Sequence, residues 1–278
     1  MLSIIIVNYK NPPLLRLCLK SLARTISPDL EYEVIVVDSQ TSIETQNVVT
    51  EEFAPIFKRI KLLPYQENTG YTRGVNEGIR HSVGNYFLIF NPDIVVLEGS
   101  IEKLLEHLEA HPHIGLIGPQ LLNFDGSRQD SCFRFVTPLT ILYRRVLPFA
   151  EQLVEHYLMH DVDLSVPREV DWLMGSALMT SRRALERVGL MNERLFNYFS
   201  DVDWPKRFWE NGYTVVYYPY AKMYHYHQRQ SKGPFGIFDA LFTQGTRWHI
   251  RDALIYFAKH GFFSSGTRKR TQQQVLLN

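Results

Sequence analysis

The fold class is decided by the stretch Ser3-Ile-Ile-Ile-Val-Asn-Tyr9, a β-branched, apolar run at the start of the chain. An apolar run without polar alternation is typical of a central strand that is buried on both faces. The turn residues Asn11-Pro-Pro13 follow it directly. We therefore expect this stretch to be an inner strand of a parallel sheet.

Helices and strands alternate outward from this first strand. Apolar residues recur at helical spacing from Leu14 to Ile26, and a second strand over Glu33 to Val37 ends at Asp38. A helix over Val48 to Phe57 and a short strand over Ile60 to Leu63 continue the pattern. This β-α-β-α-β opening predicts a doubly wound, mostly parallel α/β sheet with flanking helices and with ligands at the carboxyl ends of its strands.

The rest of the chain predicts further elements of the same kind. Residues 120–170 have the least readable pattern, with a hairpin turn at Asp125-Gly126, and they suit either the wall of a binding site or a set of surface loops. The other predicted elements are strands at Tyr86–Phe90, Ile114–Pro119, Trp172–Thr180 and Tyr213–Tyr218, and helices at Ser100–His111, Leu139–Tyr157, Arg182–Val188 and Phe238–His260.

Composition excludes several classes of protein. With 45% hydrophobic and 21% charged residues, the 278-residue chain is that of an ordinary folded protein, and its formal net charge of +1 predicts no nucleic-acid partner. The two cysteines, Cys18 and Cys132, lack the spacing of a metal site or a disulfide framework. No signal peptide or segment of membrane-spanning length is found in the sequence, so we expect a cytoplasmic protein.

Acidic residues mark two candidate positions for chemistry. Asp201 and Asp203 lie in the aromatic run Asn197–Trp204, and Asp93 follows the strand that ends at Phe90. If the fold brings Asp93 and Asp201 together, the chain holds a site for a metal and a proton acceptor. The alternatives are a plain turn at Asp93 and a helix cap at Asp201 or Asp203.

A second group of polar residues follows the first strands. Asp38 ends the second strand, where it would accept a hydrogen bond from a nucleotide base or act as a turn former, and Asn8 and Tyr9 would line the same pocket. Glycines in the segment Glu67–Gly78 allow close approach of the backbone, and Arg73 could face a diphosphate. This segment matches neither a P-loop nor a GxGxxG loop.

Seven motifs in this order resemble family 2 glycosyltransferases of the GT-A fold, and in particular their rhamnosyltransferase-like branch. The resemblance covers about residues 1–260. Its motifs are Ser3–Tyr9, Val36-Val-Asp38, Asn68–Asn76, Asn91-Pro-Asp93, Gly175-Ser-Ala, Val188–Asp203 and Tyr218-Pro to His225.

The resemblance implies roles for individual residues. Asp38 would hold the base, Asp93 and His225 would bind Mg2+ or Mn2+, and Asp201 would be the general base. Asp203 is the alternative to Asp201 as the general base, and His227 is the alternative to His225 as the metal ligand. The implied donor-binding set is Asn8, Tyr9, Asp38, Asn68, Gly70, Arg73, Asn76, Asn91 and Arg229. Trp172, Tyr198 and Trp204 are either acceptor-binding faces or core residues.

Two positions depart from the family pattern. Asn91 stands where the first acid of the DXD-like motif is expected, which leaves one carboxylate for the cation. Ser200 stands where a glutamate usually precedes the base, so Asp201 lacks an acidic neighbour that would raise its pKa. These departures favour the alternative of a non-catalytic GT-A domain that binds a nucleotide sugar or a partner protein.

The resemblance implies an inverting transferase that moves L-rhamnose from dTDP-rhamnose, or a hexose from a UDP-sugar, to a polysaccharide or lipid-linked glycan.

Residues 1–235 would form the catalytic domain, with a nucleotide-sugar-binding half (1–119) and an acceptor half (120–235). Residues 236–278 would form a C-terminal helix and polar tail. A lipid-linked acceptor implies peripheral contact with the inner face of the membrane. The resemblance does not decide whether the protein forms a homodimer. Candidate membrane-contacting residues, or alternatively core and tail residues, are Arg247, Trp248, Arg251, Ile255, Tyr256, Phe257, Lys259, Phe262, Phe263 and Arg268-Lys-Arg270.

Overall fold

A computed structural model describes residues 1–138, 140, 151–226 and 243–261. The strands are β1 (Leu2–Tyr9), β2 (Tyr32–Ser39), β3 (Ile60–Tyr65), β4 (Tyr86–Phe90), β5 (Ile94–Val96), β6 (Ile114–Leu122), β7 (Cys132–Phe133), β8 (Arg168–Glu169), β9 (Trp172–Leu173), β10 (Ala177–Ser181) and β11 (Thr214–His225). The helices are α1 (Pro12–Thr25), α2 (Ile43–Asn47), α3 (Gly70–Arg80), α4 (Ser100–Ala110), α5 (Glu151–Tyr157), α6 (Arg182–Val188), α7 (Ser200–Glu210) and α8 (Gln244–His260).

One large sheet organises the described part of the chain. Its order is β3-β2-β1-β4-β10-β6-β11-β5, with β8 paired to β11. Strands β1 to β4 run parallel to one another, β6 and β11 form a second parallel pair, and β10 runs antiparallel between β4 and β6. The predicted doubly wound, mostly parallel sheet is confirmed, and β1 is an inner strand as its apolar run indicates.

Helices cover both faces of this sheet. Ile4 and Ile6 of β1 enter the core under α1 and α4, while Ile5 and Val7 enter the core under α3, α6 and α7. A third cluster joins α8 to the loop before α7 through Phe199, Tyr256 and Phe257. No helix among the described residues is both long enough and apolar enough to span a bilayer. The C-terminal helix thus packs on the side of the sheet that carries α7.

Two strand predictions were wrong in ways that bear on the site. The predicted strand Trp172–Thr180 is interrupted after Leu173 and resumes at Ala177, so residues 174–176 form a turn. Strand β11 does not end at Tyr218 but continues to His225, because a register shift between Tyr218 and Lys222 accommodates Pro219. This continuation carries His225 to the end of the sheet.

Some helix predictions need smaller corrections. The predicted helix Val48–Phe57 begins earlier, as α2, and its second part is a π-helix over Val48–Phe53. Pro205 lies inside α7, which begins at Ser200. Proline has no N–H, so Pro205 cannot donate to the carbonyl of Asp201.

Other predictions fall partly outside the described residues. Helix α5 occupies the last part of the predicted helix Leu139–Tyr157, while residues 139 and 141–150 are not described. The predicted hairpin turn is confirmed, with Gly126 at φ 85°. The proposed halves 1–119 and 120–235 both contribute strands to the large sheet, and β6 crosses the division between them.

Candidate active site

Polar side chains meet at the carboxyl ends of β1 and β2. Asn8 and Asp38 are register partners, and Asn8 Nδ2 donates to Asp38 Oδ1 at 2.7 Å. Both side chains are fully buried, and burial raises the pKa of Asp38, although hydrogen bonds from Thr41 and Asn8 oppose the shift. Tyr9, the next residue, is 44% exposed. The ends of these two strands therefore hold a buried acceptor and, one residue after Asn8, an exposed aromatic ring.

The start of α3 contacts the end of β2. Asn68 Oδ1 accepts from the Ser39 hydroxyl at 3.1 Å and from the Gly70 amide at 3.0 Å. Gly70 has φ 68°, and a Cβ there would lie 2.5 Å from the carbonyl oxygen of Phe196. Glycine is required here both by the left-handed backbone and by this close approach. The predicted donor-binding residues Asn68 and Gly70 thus join the end of β2 to the loop before α7.

Two predicted donor-binding residues have other partners. Asn76 is buried, and its amide donates to the Met191 carbonyl and to Glu193 while accepting from the Met191 amide. All of these contacts hold the loop after α6, so we assign Asn76 to that structural role instead of donor binding. Arg73 forms a surface ion pair with Glu67 at 2.6 Å.

A second polar group lies at the ends of β4 and β11. His225 Nε2 is 3.5 Å from Asp93 Oδ2 and 3.0 Å from the Ser176 hydroxyl. Asn91 Nδ2 also approaches Ser176 Oγ, at 3.4 Å. The second oxygen of Asp93, Oδ1, is buried and has no hydrogen-bond donor among the described residues. The predicted pair Asp93 and His225 is therefore assembled around Ser176. His227 and Arg229 lie outside the described residues.

Gln129 fixes the orientation of the His225 ring. Its amide nitrogen donates to Asn123 Oδ1 at 2.7 Å and to the His225 carbonyl at 2.9 Å. Its carbonyl oxygen consequently faces His225 Nδ1, at 2.9 Å, where it accepts a hydrogen bond from the ring. This contact requires a proton on Nδ1 and turns Nε2 toward Ser176 and Asp93.

The donor set fits a hard divalent cation that keeps other ligands. Asp93 supplies Oδ1, which accepts no hydrogen bond from the described residues. His225 supplies the Nε2 atom of a ring that is held in place by the hydrogen bond from Nδ1 to Gln129. The described residues contain no group of three or more His, Cys, Asp or Glu that could hold a metal. A cation here would thus depend on water and substrate oxygen atoms for its remaining coordination, as Mg2+ commonly does.

Asp201 lies on the other side of the same turn. The Gly175 amide donates to Asp201 Oδ2 at 3.3 Å, and the Tyr71 hydroxyl donates to the Gly175 carbonyl at 2.5 Å. Burial raises the pKa of Asp201 to about 6, which the Gly175 hydrogen bond only partly opposes. The pKa is raised even though Ser200 replaces an acidic neighbour, because burial provides the effect. Such a carboxylate is suited to accept a proton near neutral pH.

Asp203 lies in a different environment from Asp201. It is fully buried, and its carboxylate contacts Arg207 at 3.0 Å, Lys259 at 2.6 Å and His260 at 2.8 Å. Burial alone would raise its pKa, but hydrogen bonds from His260 and Lys259 and the charge of Arg207 outweigh burial and lower the pKa to about 2. A carboxylate held by these partners is a poor proton acceptor. We assign Asp203 to the attachment of α8.

The predicted acceptor-binding aromatics are placed differently from one another. Trp204 is fully buried and donates to the Gly189 carbonyl, so it has no face open to a sugar. Trp172 stacks on Phe133, with ring centres 4.3 Å apart, and is 9% exposed. Tyr198 is partly exposed and stacks on His249 at 4.5 Å. Tyr198 alone of these three keeps substantial surface for an acceptor.

Several residues of the site carried no signal strong enough to assign a role from sequence. Gln129 lies in the stretch with the least readable pattern, and Tyr71 lies within a predicted glycine-rich segment. Ser176 belongs to a family motif, but its contact with His225 depends on the turn between β9 and β10, which the sequence did not predict. Each of these residues acts through contacts distant in sequence, which local patterns do not encode.

Together, the fold and the site define a glycosyltransferase of the GT-A fold. Residues 3–165 match the family model described as glycosyl transferase family 2, and the chain belongs to that family. The match ends before Asp201 and His225, so these two positions rest on the structure and on the sequence motifs.

Similar proteins include several transferases. An N-acetylglucosaminyl-diphospho-decaprenol L-rhamnosyltransferase from Mycobacterium tuberculosis is 29% identical over 84% of this chain and 78% of its own length. The low-salt glycan biosynthesis hexosyltransferase Agl10 from Haloferax volcanii is 30% identical over 73% of this chain and 59% of its own length. The dTDP-rhamnosyl transferase RfbF from Shigella flexneri is 24% identical over 82% of this chain and 71% of its own length.

Solved structures with the same fold are more distant in sequence. The mannosyltransferase PcManGT from Pyrobaculum calidifontis, in complex with GDP-Man and Mn2+, is 19% identical, with a TM-score of 0.57 over 83% of this chain. GalNAc-T7 with UDP, GalNAc and Mn2+ is 15% identical, with a TM-score of 0.62 over 83% of this chain. The chain spans 58% and 44% of these two proteins, respectively.

Proposed function

We propose that this protein transfers L-rhamnose from dTDP-rhamnose to a polysaccharide or lipid-linked glycan, with inversion at the anomeric carbon. The observation that carries the proposal is the turn at Gly175-Ser176. Gly175 contacts the candidate base Asp201, and the next residue contacts His225 of the candidate metal pair. Groups for deprotonating an acceptor and for holding a diphosphate are therefore adjacent.

The proton transfer uses the raised pKa of Asp201. With a pKa of about 6, the carboxylate is ionised at pH 7 to 8 yet basic enough to accept a proton from an acceptor hydroxyl as that oxygen attacks the anomeric carbon. The glycosidic C–O bond to the donor phosphate breaks as the new C–O bond forms. A single displacement of this kind requires no covalent intermediate on the enzyme.

Donor binding is divided between two parts of the site. Asp38 would accept a hydrogen bond from the ring N–H of the base, and Tyr9 would provide an adjacent aromatic face. Asp93 and His225 would hold Mg2+ or Mn2+, which when bound offsets the charge that develops on the departing diphosphate. The amide of Asn91, beside Ser176, replaces a carboxylate and so avoids adding negative charge next to the phosphates.

The donor assignment rests on the relatives. Two of the three described above are named as rhamnosyltransferases, and one of these names includes dTDP. The hexosyltransferase relative supports a hexose as the alternative transferred sugar. The decaprenol-linked acceptor in one relative's name supports a lipid-linked acceptor and hence a peripheral position at the membrane.

Transfer assays with matched variants test this proposal. We would measure release of nucleoside diphosphate from dTDP-rhamnose and from UDP-glucose, with a lipid-linked glycan acceptor and Mn2+, for wild type, Asp93→Ala and Asp201→Asn. Each substitution is expected to lower kcat by about 10²–10⁴-fold. Comparable rates in all three proteins would contradict the mechanism, and the anomeric configuration of the product, read by NMR, would test inversion.

A thermal-shift comparison separates the donor alternatives before any acceptor is known. A ligand that binds only the folded state raises the unfolding temperature. We expect dTDP with Mn2+ to stabilise the wild-type protein more than UDP or GDP, and Asp38→Ala to reduce this effect. A larger shift with UDP would favour the hexosyltransferase alternative.

A further inference from the structure

We propose that Asp252, on the C-terminal helix α8, is a positioning residue that holds the loop leading to Asp201. Its Oδ2 atom accepts hydrogen bonds from three successive backbone amides, those of Phe196, Asn197 and Tyr198, each at 3.0 Å. The side chain is fully buried. A carboxylate that is buried and directed at successive amides fixes the path of that backbone, because leaving these N–H groups without an acceptor would be costly.

The loop held by Asp252 determines where α7 begins. Phe199 follows it directly in a left-handed conformation, with φ 61°, which is unfavourable for a bulky residue. The Phe199 carbonyl accepts from the amides of Val202 and Asp203, which starts the helix. Asp201 lies in this first turn, so a change in the path of the loop would move its carboxylate.

The opposite side of the loop contacts the donor half of the site. The Phe196 carbonyl accepts from the Thr72 amide at 3.4 Å and closely approaches Gly70. The loop is therefore enclosed between α3 and α8. Asp252 supplies the fixed support on the α8 side.

The end of α8 is attached separately, through Asp203. Lys259 and His260 contact the Asp203 carboxylate, and Asp203 is on the same helix as Asp201. Helix α8 therefore binds the catalytic segment at two places, one before Asp201 and one after it. We infer that α8 contributes to turnover by fixing the direction of the Asp201 carboxylate relative to Gly175.

The inference rests on the proposed function, in which Asp201 is the base. Experiments can contradict the positioning role of Asp252 and the proposed function independently of each other. The test compares wild type with Asp252→Ala, Asp252→Asn and the control Leu254→Ala, whose side chain on the same helix is 61% exposed. A displacement of about 1 Å at a reacting group can cost about 10²-fold in rate. We expect Asp252→Ala to lower kcat by about 10–100-fold and to change the Kd for dTDP by less than about 3-fold.

The asparagine variant distinguishes positioning from a general effect on folding. It keeps an oxygen acceptor of the same shape, so we expect it to recover a substantial part of kcat, while Leu254→Ala matches wild type. Hydrogen exchange gives a readout independent of activity: the amides of residues 196–198 should exchange faster in Asp252→Ala than in Leu254→Ala. Wild-type kcat and unchanged exchange in Asp252→Ala would overturn the inference.

The outcomes also separate this inference from the proposed function. If wild type transfers no sugar but Asp252→Ala accelerates exchange at residues 196–198, the proposed function fails and the support by Asp252 stands. If wild type is active and Asp252→Ala loses donor affinity and kcat in equal proportion, with Asp252→Asn no better, a positioning role for Asp252 is overturned.

Discussion

Replacing Asp201 with asparagine should stabilise the protein while inactivating it. The pKa of this carboxyl is raised from an ordinary value of 3.8 to about 6, so its charged form is less favourable in the folded protein than in the unfolded chain. This unfavourable contribution is nearly absent below pH 4 and complete above pH 6. The full difference corresponds to about 3 kcal/mol at pH 8. Because the residue is only half-buried, we expect about 1–2 kcal/mol in practice.

Urea unfolding at two pH values measures this effect. The free energy of unfolding of Asp201→Asn should exceed that of wild type by about 1–2 kcal/mol at pH 8 and by much less at pH 4.5. The wild-type kcat should fall below pH 6 as Asp201 becomes protonated, and Asp201→Asn should lose about 10²–10⁴-fold in kcat. Equal stability differences at both pH values would refute the reasoning, since the charge would then not be the cause.

Three further substitutions test other parts of the site. Asp203→Asn should destabilise the protein by about 2 kcal/mol at pH 7.5, because Arg207 and Lys259 lose the carboxylate with which they form ion pairs. The loss should shrink as pH falls through about 4 toward 2, where wild-type Asp203 itself becomes protonated. Gln129→Leu should weaken Mn2+ binding, followed by EPR of the free ion, by about 10–100-fold because His225 loses its orienting acceptor. Gly70→Ala should lower the free energy of unfolding by at least about 1–2 kcal/mol, since alanine is strained at this φ and its Cβ meets Phe196.

Each of these substitutions has an opposing outcome. A pH-independent loss in Asp203→Asn would show that packing, and not charge, attaches α8. Unchanged Mn2+ affinity in Gln129→Leu would show that Gln129 does not support the candidate metal site. A Gly70→Ala protein as stable as wild type in urea would show that the loop before α7 can move away from α3.

The sequence predicted most of the fold because its strands are strongly patterned. The apolar run at β1 and the acid at the end of β2 predicted both the sheet and the edge where Asn8 and Asp38 meet. The continuation of β11 past Pro219 could not be predicted, since a proline normally ends a strand, and the pairing with β6 and β5 that supports the rest of β11 is long-range.

The environments of the two carboxylates on α7 could not be predicted from the sequence. Asp201 and Asp203 are two residues apart, and the residue types around them do not distinguish their environments. Asp203 is distinguished by Lys259 and His260, which lie more than fifty positions away, and Asp201 by burial against Gly175. Long-range packing therefore decides which of the two carboxylates is suited to accept a proton.

The turn at residues 174–176 has a consequence for which changes the enzyme can tolerate. Gly175 and Ser176 are consecutive, so their contacts with the candidate proton acceptor Asp201 and with His225 of the candidate cation-binding pair are linked by one peptide unit, about 3.8 Å between Cα atoms. Bond lengths do not vary with the surrounding loops. Surface loops outside this turn can therefore change without altering this link, whereas a single insertion between Gly175 and Ser176 should move the two contacts apart by more than the proposed reaction tolerates.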